Sequence, residues 1–501
     1  MVYEYRRHNM QEQYIISIDQ STQGTKALLF DGTGKLQNRS DLPHRQIVNE
    51  SGWVSHDPEE IYHNTIRVVQ DLLEKSGIDR KKVAGVGISN QRETSLAWDF
   101  VTGKPVVDAI VWQCARAAAI CESVENAGYE EWIREYTGLK LSPYFPAAKF
   151  AWILENVDGA REKADRKELC LGTVDTWLIY KLTGGKSFKT DYSNASRTQL
   201  FNIHTLTWDK KICEIFGIPT DCLAKVCDSD SCFGMTDFGS VLPHEVPIHG
   251  VLGDSHGALF GQGCLRPGMM KTTYGTGSSI MMNTGEQPVM STHGVVTSLA
   301  WKMKGKVNYV LEGNINYTGA VISWLKDEVQ LISSPGETQS LCLEAEQDDD
   351  LYFVPAFTGL GAPYWNSHAK GSLSGITRTT RRAEIVRACT ECIAYQIRDI
   401  VQAMSQDAGL DAVELRVDGG PTRNQYLMQF QSDILDADVL VPDAEELSGI
   451  GAAYAAGIAL GVYSDDVFGQ MRRTRYNPKM DEERRQKKIK GWNEAVGAVI
   501  G

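Results

Sequence analysis

Three turns rich in glycine and hydroxyl residues, each set directly behind a short apolar run, constrain this chain more than any other feature. They are Asp19-Gln20-Ser21-Thr22-Gln23-Gly24-Thr25-Lys26, Thr273-Tyr274-Gly275-Thr276-Gly277-Ser278 and Val417-Asp418-Gly419-Gly420-Pro421-Thr422. Glycine reaches positive φ and carries no Cβ, so successive N–H groups can converge on an anion while hydroxyls add further donors. One such turn by itself reads better as an ordinary tight turn. Three of them, each after a strand and spread over both halves of the chain, point to a shared phosphate-binding cleft. Other phosphate motifs are missing from the sequence. The closest approach to G-x-x-x-x-G-K-[ST], at Gly185-Lys186-Ser187, has Tyr180 where the first glycine belongs, and no G-x-G-x-x-G follows a strand.

Around these turns, strand-like runs such as YIISID, KALLFD, IHGVLGD and ELRVDGG alternate with helical periodicity, which predicts an α/β protein. Asp31-Gly32 between two such runs predicts a hairpin after the first strand, unlike a strand-then-helix unit. The second half repeats the theme at low resolution, with an acid-tipped strand in GVLGDSHGALFG and then the glycine-threonine turn. The expected organisation is a polar extension over 1–13, one lobe over 14–260, a second over 261–465 and a helical tail over 466–501. The run Asp348-Asp349-Asp350 reads as solvated loop.

Composition narrows the partners. The 501 residues carry a formal charge of −13, which leaves no basic stripe for nucleic acid or an anionic membrane. No stretch approaches the roughly 18 apolar residues of a membrane helix, and the first dozen residues lack an apolar leader core. The eleven cysteines are scattered; Cys389 and Cys392 lie in a helical pattern and read as buried thiols rather than a metal or redox pair. No cluster has zinc spacing. These features predict a cytoplasmic protein.

The longer motifs GWVSHDPEEIY, GISNQRETSLAWDFVTGKPVVDAIVWQC, LGTVDTWLIYKLTG, TDYSNASRTQLFNIHTLTWD, VPAFTGLGAPYW and LRVDGGPTRNQYLMQFQSDIL resemble the FGGY carbohydrate kinases of the actin-like ATPase superfamily, and within them the glycerol kinases. The run Tyr144 to Asn156 meets the family's first signature; Gly371 to Glu391 meets the second except at Cys389 and Thr390. The resemblance spans about residues 14 to 465.

It implies two actin-like (RNase H-like) α/β domains, each a mixed five-stranded sheet flanked by helices, with a cleft between them. It also implies transfer of the ATP γ-phosphoryl group to a terminal hydroxyl of a small polyol or sugar. Asp254 matches the general base. Asp19, with Asp254, matches the residues that hold Mg²⁺ largely through water. Thr22, Gln23, Gly24 and Thr25 match the first phosphate loop, with Lys26 supplying charge, and Thr276 and Gly277 match the second. Gly319, Ser323, Gly420 and Asn424 match nucleotide-side positions. Arg92, Glu93, Trp112 and Tyr144 match the acceptor site, joined by Ser255 and Ser279. Members form homodimers or homotetramers.

Several positions depart from the glycerol kinase pattern. Ser255 stands where those enzymes carry Gln, Ser279 where an aromatic ring packs on the glycerol carbons, Lys26 for Arg and Ser323 for a nucleotide-side Gln. His256 either fills the widened space or meets an extra hydroxyl. Ser231 and Cys232 replace the region of a regulatory phosphohistidine, so that control is not expected. Glycerol leads as acceptor, a C4 or C5 polyol or ketose (erythritol, a pentitol or a pentulose) is the alternative, and an ATP-switch protein of the actin or chaperone type is the rival from another class.

Overall fold

The computed structural model describes residues 13–346 and 349–501. All but the last residue of the expected extension, and Asp348 of the acidic run, lie outside the described residues.

The first sheet is built from β1 (Tyr14–Gln20), β2 (Gly24–Phe30), β3 (Leu36–Pro43), β4 (Val83–Asn90), β5 (Gly234–Thr236) and β6 (Val246–Gly253), in the order β5-β6-β4-β1-β2-β3. Ile15, Ile16 and Ile18 are fully buried, so both faces of β1 are covered and the strand reads as an apolar run. Asp31 fixes the predicted hairpin: its carboxylate accepts from the Thr33 and Lys35 amides at 2.8 and 3.1 Å. Helix α1 (Pro58–Ser76) starts on Asp57, which accepts from the Glu59 amide, and stops at the left-handed Gly77.

The second sheet comprises β7 (Met270–Tyr274), β8 (Ser278–Gly285), β9 (Val296–Met303), β10 (Lys306–Ile315), β11 (Glu414–Gly419), β12 (Asp438–Pro442) and β13 (Arg473–Tyr476), in the order β9-β10-β8-β7-β11-β12-β13. Its helices include α3 (Gly319–Asp327), α4 (Arg382–Ala408), α5 (Gln425–Leu435) and α7 (Glu482–Ile500).

The two lobes repeat one topology. In β3-β2-β1-β4-β6 the successive pairings are antiparallel, antiparallel, parallel and parallel. In β10-β8-β7-β11-β12 they follow the same sequence. Each lobe therefore holds the five-stranded mixed core, and antiparallel edge strands enlarge the sheets to six and seven: β5 in the first, β9 and β13 in the second. The repeat aligns the β1–β2 turn with the β7–β8 turn. The GVLGD strand is β6, the last core strand of the first lobe, and not the opening of the second repeat.

The segment expected as a helical tail is built into the second lobe. β13 pairs with β12, and Trp492 of α7 is 1% exposed and donates to Asp399 Oδ2 at 2.7 Å. The described part of the acidic run is loop, as expected, with Asp350 exposed; Asp349 pairs with Arg387, and Asp350 lies 3.0 Å from Lys487 Nζ. All eleven cysteines are unpaired; Cys389 and Cys392 are buried in α4, where desolvation pushes both thiols up.

The lobes are joined where α2 (Asp254–Gly261) crosses α6 (Leu447–Ala459) at glycines. A Cβ on Gly451 would lie 1.9 Å from the Gly257 carbonyl oxygen, and one on Gly261 would lie 2.4 Å from that of Leu447. Helix α6 also packs on the first sheet, where Ser17 Oγ donates to the Gly449 carbonyl at 2.7 Å. Late residues of the chain thus complete the first lobe. Among the described residues, no helix is long and apolar enough to cross a membrane.

Candidate active site

The β1–β2 turn puts Asp19 at the lobe junction. Asp19 stands opposite Lys26 on β2 and Ser89 on β4, and is 7% exposed. Burial pushes its carboxyl up to about 6 against the pull of Lys26, and the carboxylates of Glu446 and Asp254 push the same way. Lys26 does not project freely toward a phosphate. Its Nζ lies 2.7 Å from Glu446 Oε2, and Arg39 holds the other oxygen of Glu446 at 2.7 Å. Glu446 comes from the segment just before α6, far from the turn in sequence. Thr22 lies in the turn, where Trp112 Nε1 donates to its hydroxyl at 2.9 Å; Gln23 is exposed, and Thr25 is fully buried. Gly24 is required by sterics, since a Cβ there would lie 2.5 Å from the Leu42 carbonyl oxygen.

The acceptor candidates converge on a buried ionic cluster that spans both lobes. Arg92 Nη1 and Nη2 reach Glu312 Oε2 and Oε1 at 2.9 and 2.8 Å, and Arg92 Nε lies 3.2 Å from Asp254 Oδ1. Arg197 donates to Glu93 Oε1 at 2.6 Å and lies 2.9 Å from Glu312 Oε2. Burial alone would raise Glu312, yet Arg197 and Arg92 hold its carboxyl well below the usual range; burial would lower Arg92, yet Glu312 and Glu93 hold it above. Glu312, Arg92 and Arg197 therefore keep their charges despite burial. Glu93 sits at φ 59°, in the left-handed region, an uncommon conformation for a residue with a side chain. The turn is held by Thr94, whose hydroxyl donates to Gln91 and accepts from the Trp112 amide.

Trp112 and Tyr144 pack edge to face at 5.5 Å between centroids and form an aromatic wall beside this cluster. Behind them Lys149, fully buried, donates to the backbone carbonyls of Trp112 and Tyr144 at 3.2 and 2.5 Å. Burial lowers its ammonium to about 7. Asp254 heads α2, and its side chain is 37% exposed. Ser255 follows it in the helix. His256 is fully buried, 3.4 Å from Ser298 Oγ, and burial together with Arg92 keeps its ring neutral. It fills space behind Arg92 and is not open to the cleft.

The second lobe holds the nucleotide-side candidates in a cavity of about 640 Å³, a size ordinary for a small-molecule site. Thr276, Gly319, Ser323, Gly420 and Asn424 line it. Gly277 does not; its lack of a Cβ lets the turn approach the Ile315 carbonyl, which a Cβ would meet at 2.3 Å. Gly319 serves both cavity and packing, because a Cβ would lie 2.8 Å from the Gly275 carbonyl oxygen. Asn424 caps α5 by accepting from the Leu427 amide, and donates to Thr338.

Glu312, Arg197, Lys149, Glu446 and Lys271 are site residues that sequence reasoning did not single out. An acid inside the apolar strand NYVLEG was the available signal for Glu312. The other four carry no local signal, since their partners are distant in sequence. Asp19 and Asp254 offer hard carboxylate oxygens to one space. The burial penalty on Asp19, increased by neighbouring carboxylates, is what a divalent cation would relieve, so the residues fit Mg²⁺. No group of three or more metal-ligating side chains is gathered among the described residues.

Residues 14–261 match the N-terminal domain of the FGGY family of carbohydrate kinases, and residues 270–460 match its C-terminal domain. The chain is 48% identical over 486 residues to a glycerol kinase of Caldanaerobacter subterraneus, covering 96% of this chain and 98% of that protein. It is 48% identical over 492 residues to glycerol kinase 1 of Thermotoga maritima, covering 97% and 99%. The crystal structure of Plasmodium falciparum glycerol kinase with ADP superposes with a TM-score of 0.93 at 37% identity, over 98% of each chain. The gluconate kinase of Lactobacillus acidophilus shares the fold, with a TM-score of 0.87 at 22% identity.

Proposed function

We propose that this chain, which belongs to the FGGY family of carbohydrate kinases, is an ATP-dependent glycerol kinase that forms glycerol 3-phosphate and ADP. The observation that carries the reading is the contact between Arg92 and Asp254, 3.2 Å apart at the lobe junction. It sets a guanidinium that can hold acceptor hydroxyls beside a carboxylate that can take a proton. The full-length likeness to glycerol kinases supports glycerol as acceptor.

In this reading Arg92 and Glu93 engage adjacent hydroxyls of glycerol, one as donor and one as acceptor. Trp112 and Tyr144 bound the carbon chain. Asp254 accepts the proton of the terminal hydroxyl as its oxygen bonds to the γ-phosphorus; the bond from that phosphorus to the bridging oxygen breaks, and ADP leaves. The adenosine end lies along Gly319, Ser323, Gly420 and Asn424, and the turns at Thr22–Thr25 and Thr276–Gly277 face the phosphates. Mg²⁺ bound near Asp19 and Asp254 supplies charge neutralisation for the phosphates. Closure of the lobes about the α2–α6 crossing excludes water from the transfer. The same reading places the enzyme in the cytoplasm, as a homodimer or homotetramer without nucleic-acid or membrane partners.

Acceptor-dependent ADP formation from Mg·ATP, compared across glycerol, dihydroxyacetone, erythritol, pentitols and pentuloses, tests it. Glycerol giving the highest kcat/KM supports the proposal. A C4 or C5 acceptor ahead by tenfold or more, about 1.4 kcal/mol of transition-state discrimination, would replace it.

A further inference from the structure

We infer that the second lobe presents a hydroxyl-reading pair, Ser279 and Asn314, to the far end of the acceptor site, and that the enzyme also phosphorylates a four-carbon polyol. The inference rests on the kinase reading above and extends its substrate class.

The register of the second sheet places the pair. Ser279 on β8 is directly opposite Asn314 on β10, and Met281 is opposite Glu312. Side chains two apart on a strand share a face, so Asn314 and Glu312 point the same way, about 7 Å apart along the strand. The direction of that face is fixed by Glu312, whose carboxylate is gripped by Arg92 and Arg197 of the first lobe. Ser279 and Asn314 therefore lie on the face directed at Arg92 and Asp254. Glu312 is 1% exposed, whereas Ser279 is partly exposed and Asn314 exposed. The covered part of this face holds the ionic cluster, and the open part ends in a hydroxyl and an amide.

A second observation fixes the hydrogen-bonding sense of Ser279. Lys271, fully buried on β7, donates to Thr273 Oγ1 at 3.1 Å and to Ser279 Oγ at 3.4 Å. An ammonium has three protons to give and cannot accept. Ser279 consequently accepts on its Lys271 side and keeps its own proton for the cleft. Thr273 behaves in the same way, passing its proton to Asp418 Oδ1 at 2.9 Å. Asn314 adds both a carbonyl oxygen and two N–H donors. A triol engaged at Arg92 and Glu93 leaves these groups to water. A fourth hydroxylated carbon would pair them, and sites built to hydrogen-bond a hydroxyl discriminate strongly for it. The chemistry is unchanged: a terminal hydroxyl oxygen of the tetritol takes the γ-phosphoryl group from ATP, its proton passes to Asp254, and ADP leaves.

The test is kcat/KM for erythritol and for glycerol in the wild-type enzyme, in Asn314→Ala and in Ser279→Ala, with ADP affinity confirming that each variant is folded. Wild-type enzyme is expected to use erythritol within about tenfold of glycerol, and each substitution is expected to lower the erythritol-to-glycerol ratio by about tenfold. Glycerol turnover with erythritol more than about a thousandfold poorer would overturn the inference alone, as would an erythritol-to-glycerol ratio that neither substitution moves. Absence of transfer to every acceptor, glycerol included, would overturn the kinase reading and this extension with it.

Discussion

Arg92 of the first lobe and Glu312 of the second meet in a two-point ion pair, 2.9 and 2.8 Å, with side chains 6% and 0% exposed. Arg92, the proposed acceptor ligand, is thereby held by a carboxylate of the other lobe, and Arg197 ties Glu93 into the same network.

Removing the Glu312 charge leaves two guanidiniums buried without their shared counter-ion. Breaking a buried pair in this way costs about 3–5 kcal/mol. Glu312→Gln is expected to lower the thermal midpoint by several degrees and raise the KM for the acceptor more than that for ATP. Thermal unfolding and steady-state kinetics on the same preparation check both effects.

The α2–α6 crossing makes a second prediction. Helix α2 begins with Asp254, and its approach to α6 depends on Gly451, where a Cβ would lie 1.9 Å from a backbone oxygen. Gly451→Ala must separate the helices, at a cost of about 1–3 kcal/mol from overpacking. The expected result is a lower melting temperature together with a fall in kcat of tenfold or more, since even small displacements of catalytic groups are costly. A variant with unchanged kcat would show that Asp254 is not positioned through this contact.

Lys149 supports the aromatic wall from behind. Lys149→Met removes the donor from two carbonyls, those of Trp112 and Tyr144, for about 1–3 kcal/mol of stability. Acceptor KM should rise about tenfold while ADP affinity, measured calorimetrically, stays within twofold. Equal losses in both would indicate general damage.

A pH dependence of stability follows from Asp175, which is fully buried. Its carboxyl accepts from Thr173 and Thr190, and burial, reinforced by Asp191, pushes it up to about 6. The folded form binds this proton more tightly than the unfolded chain, whose value is 3.8. The contribution is complete below the unfolded value and is lost as pH rises through about 6; a shift of this size corresponds to about 3 kcal/mol. The stability difference between wild type and Asp175→Asn, from denaturant melts at pH 4 and pH 7, should move against the wild type at the higher pH.

Much of this arrangement is legible in the sequence because it is local. The hairpin at Asp31, the α/β alternation and the three glycine-hydroxyl turns are set by residues within a few positions of one another, and the structure places a strand before each turn. What could not be read depends on distant partners. Lys26 reads as a free phosphate ligand until Glu446, 420 residues away, is seen to hold it. The polar helix at the C-terminus reads as a tail, because its charged outer face hides that Trp492 packs into the second lobe. For His256, next to Asp254, the sequence leaves both space-filling and an extra hydroxyl contact open, and the first turn of α2 buries the ring beside Arg92.

The most direct test of the account is phosphoryl transfer by Asp254→Asn, measured beside its affinity for ADP. Asparagine keeps the shape at the head of α2 and removes the ability to take a proton. The account predicts a fall in kcat of about 10³-fold, within the range for loss of a general base, with ADP affinity within twofold of wild type. Turnover retained at the wild-type level would contradict it, because the acceptor's proton would then leave by another group.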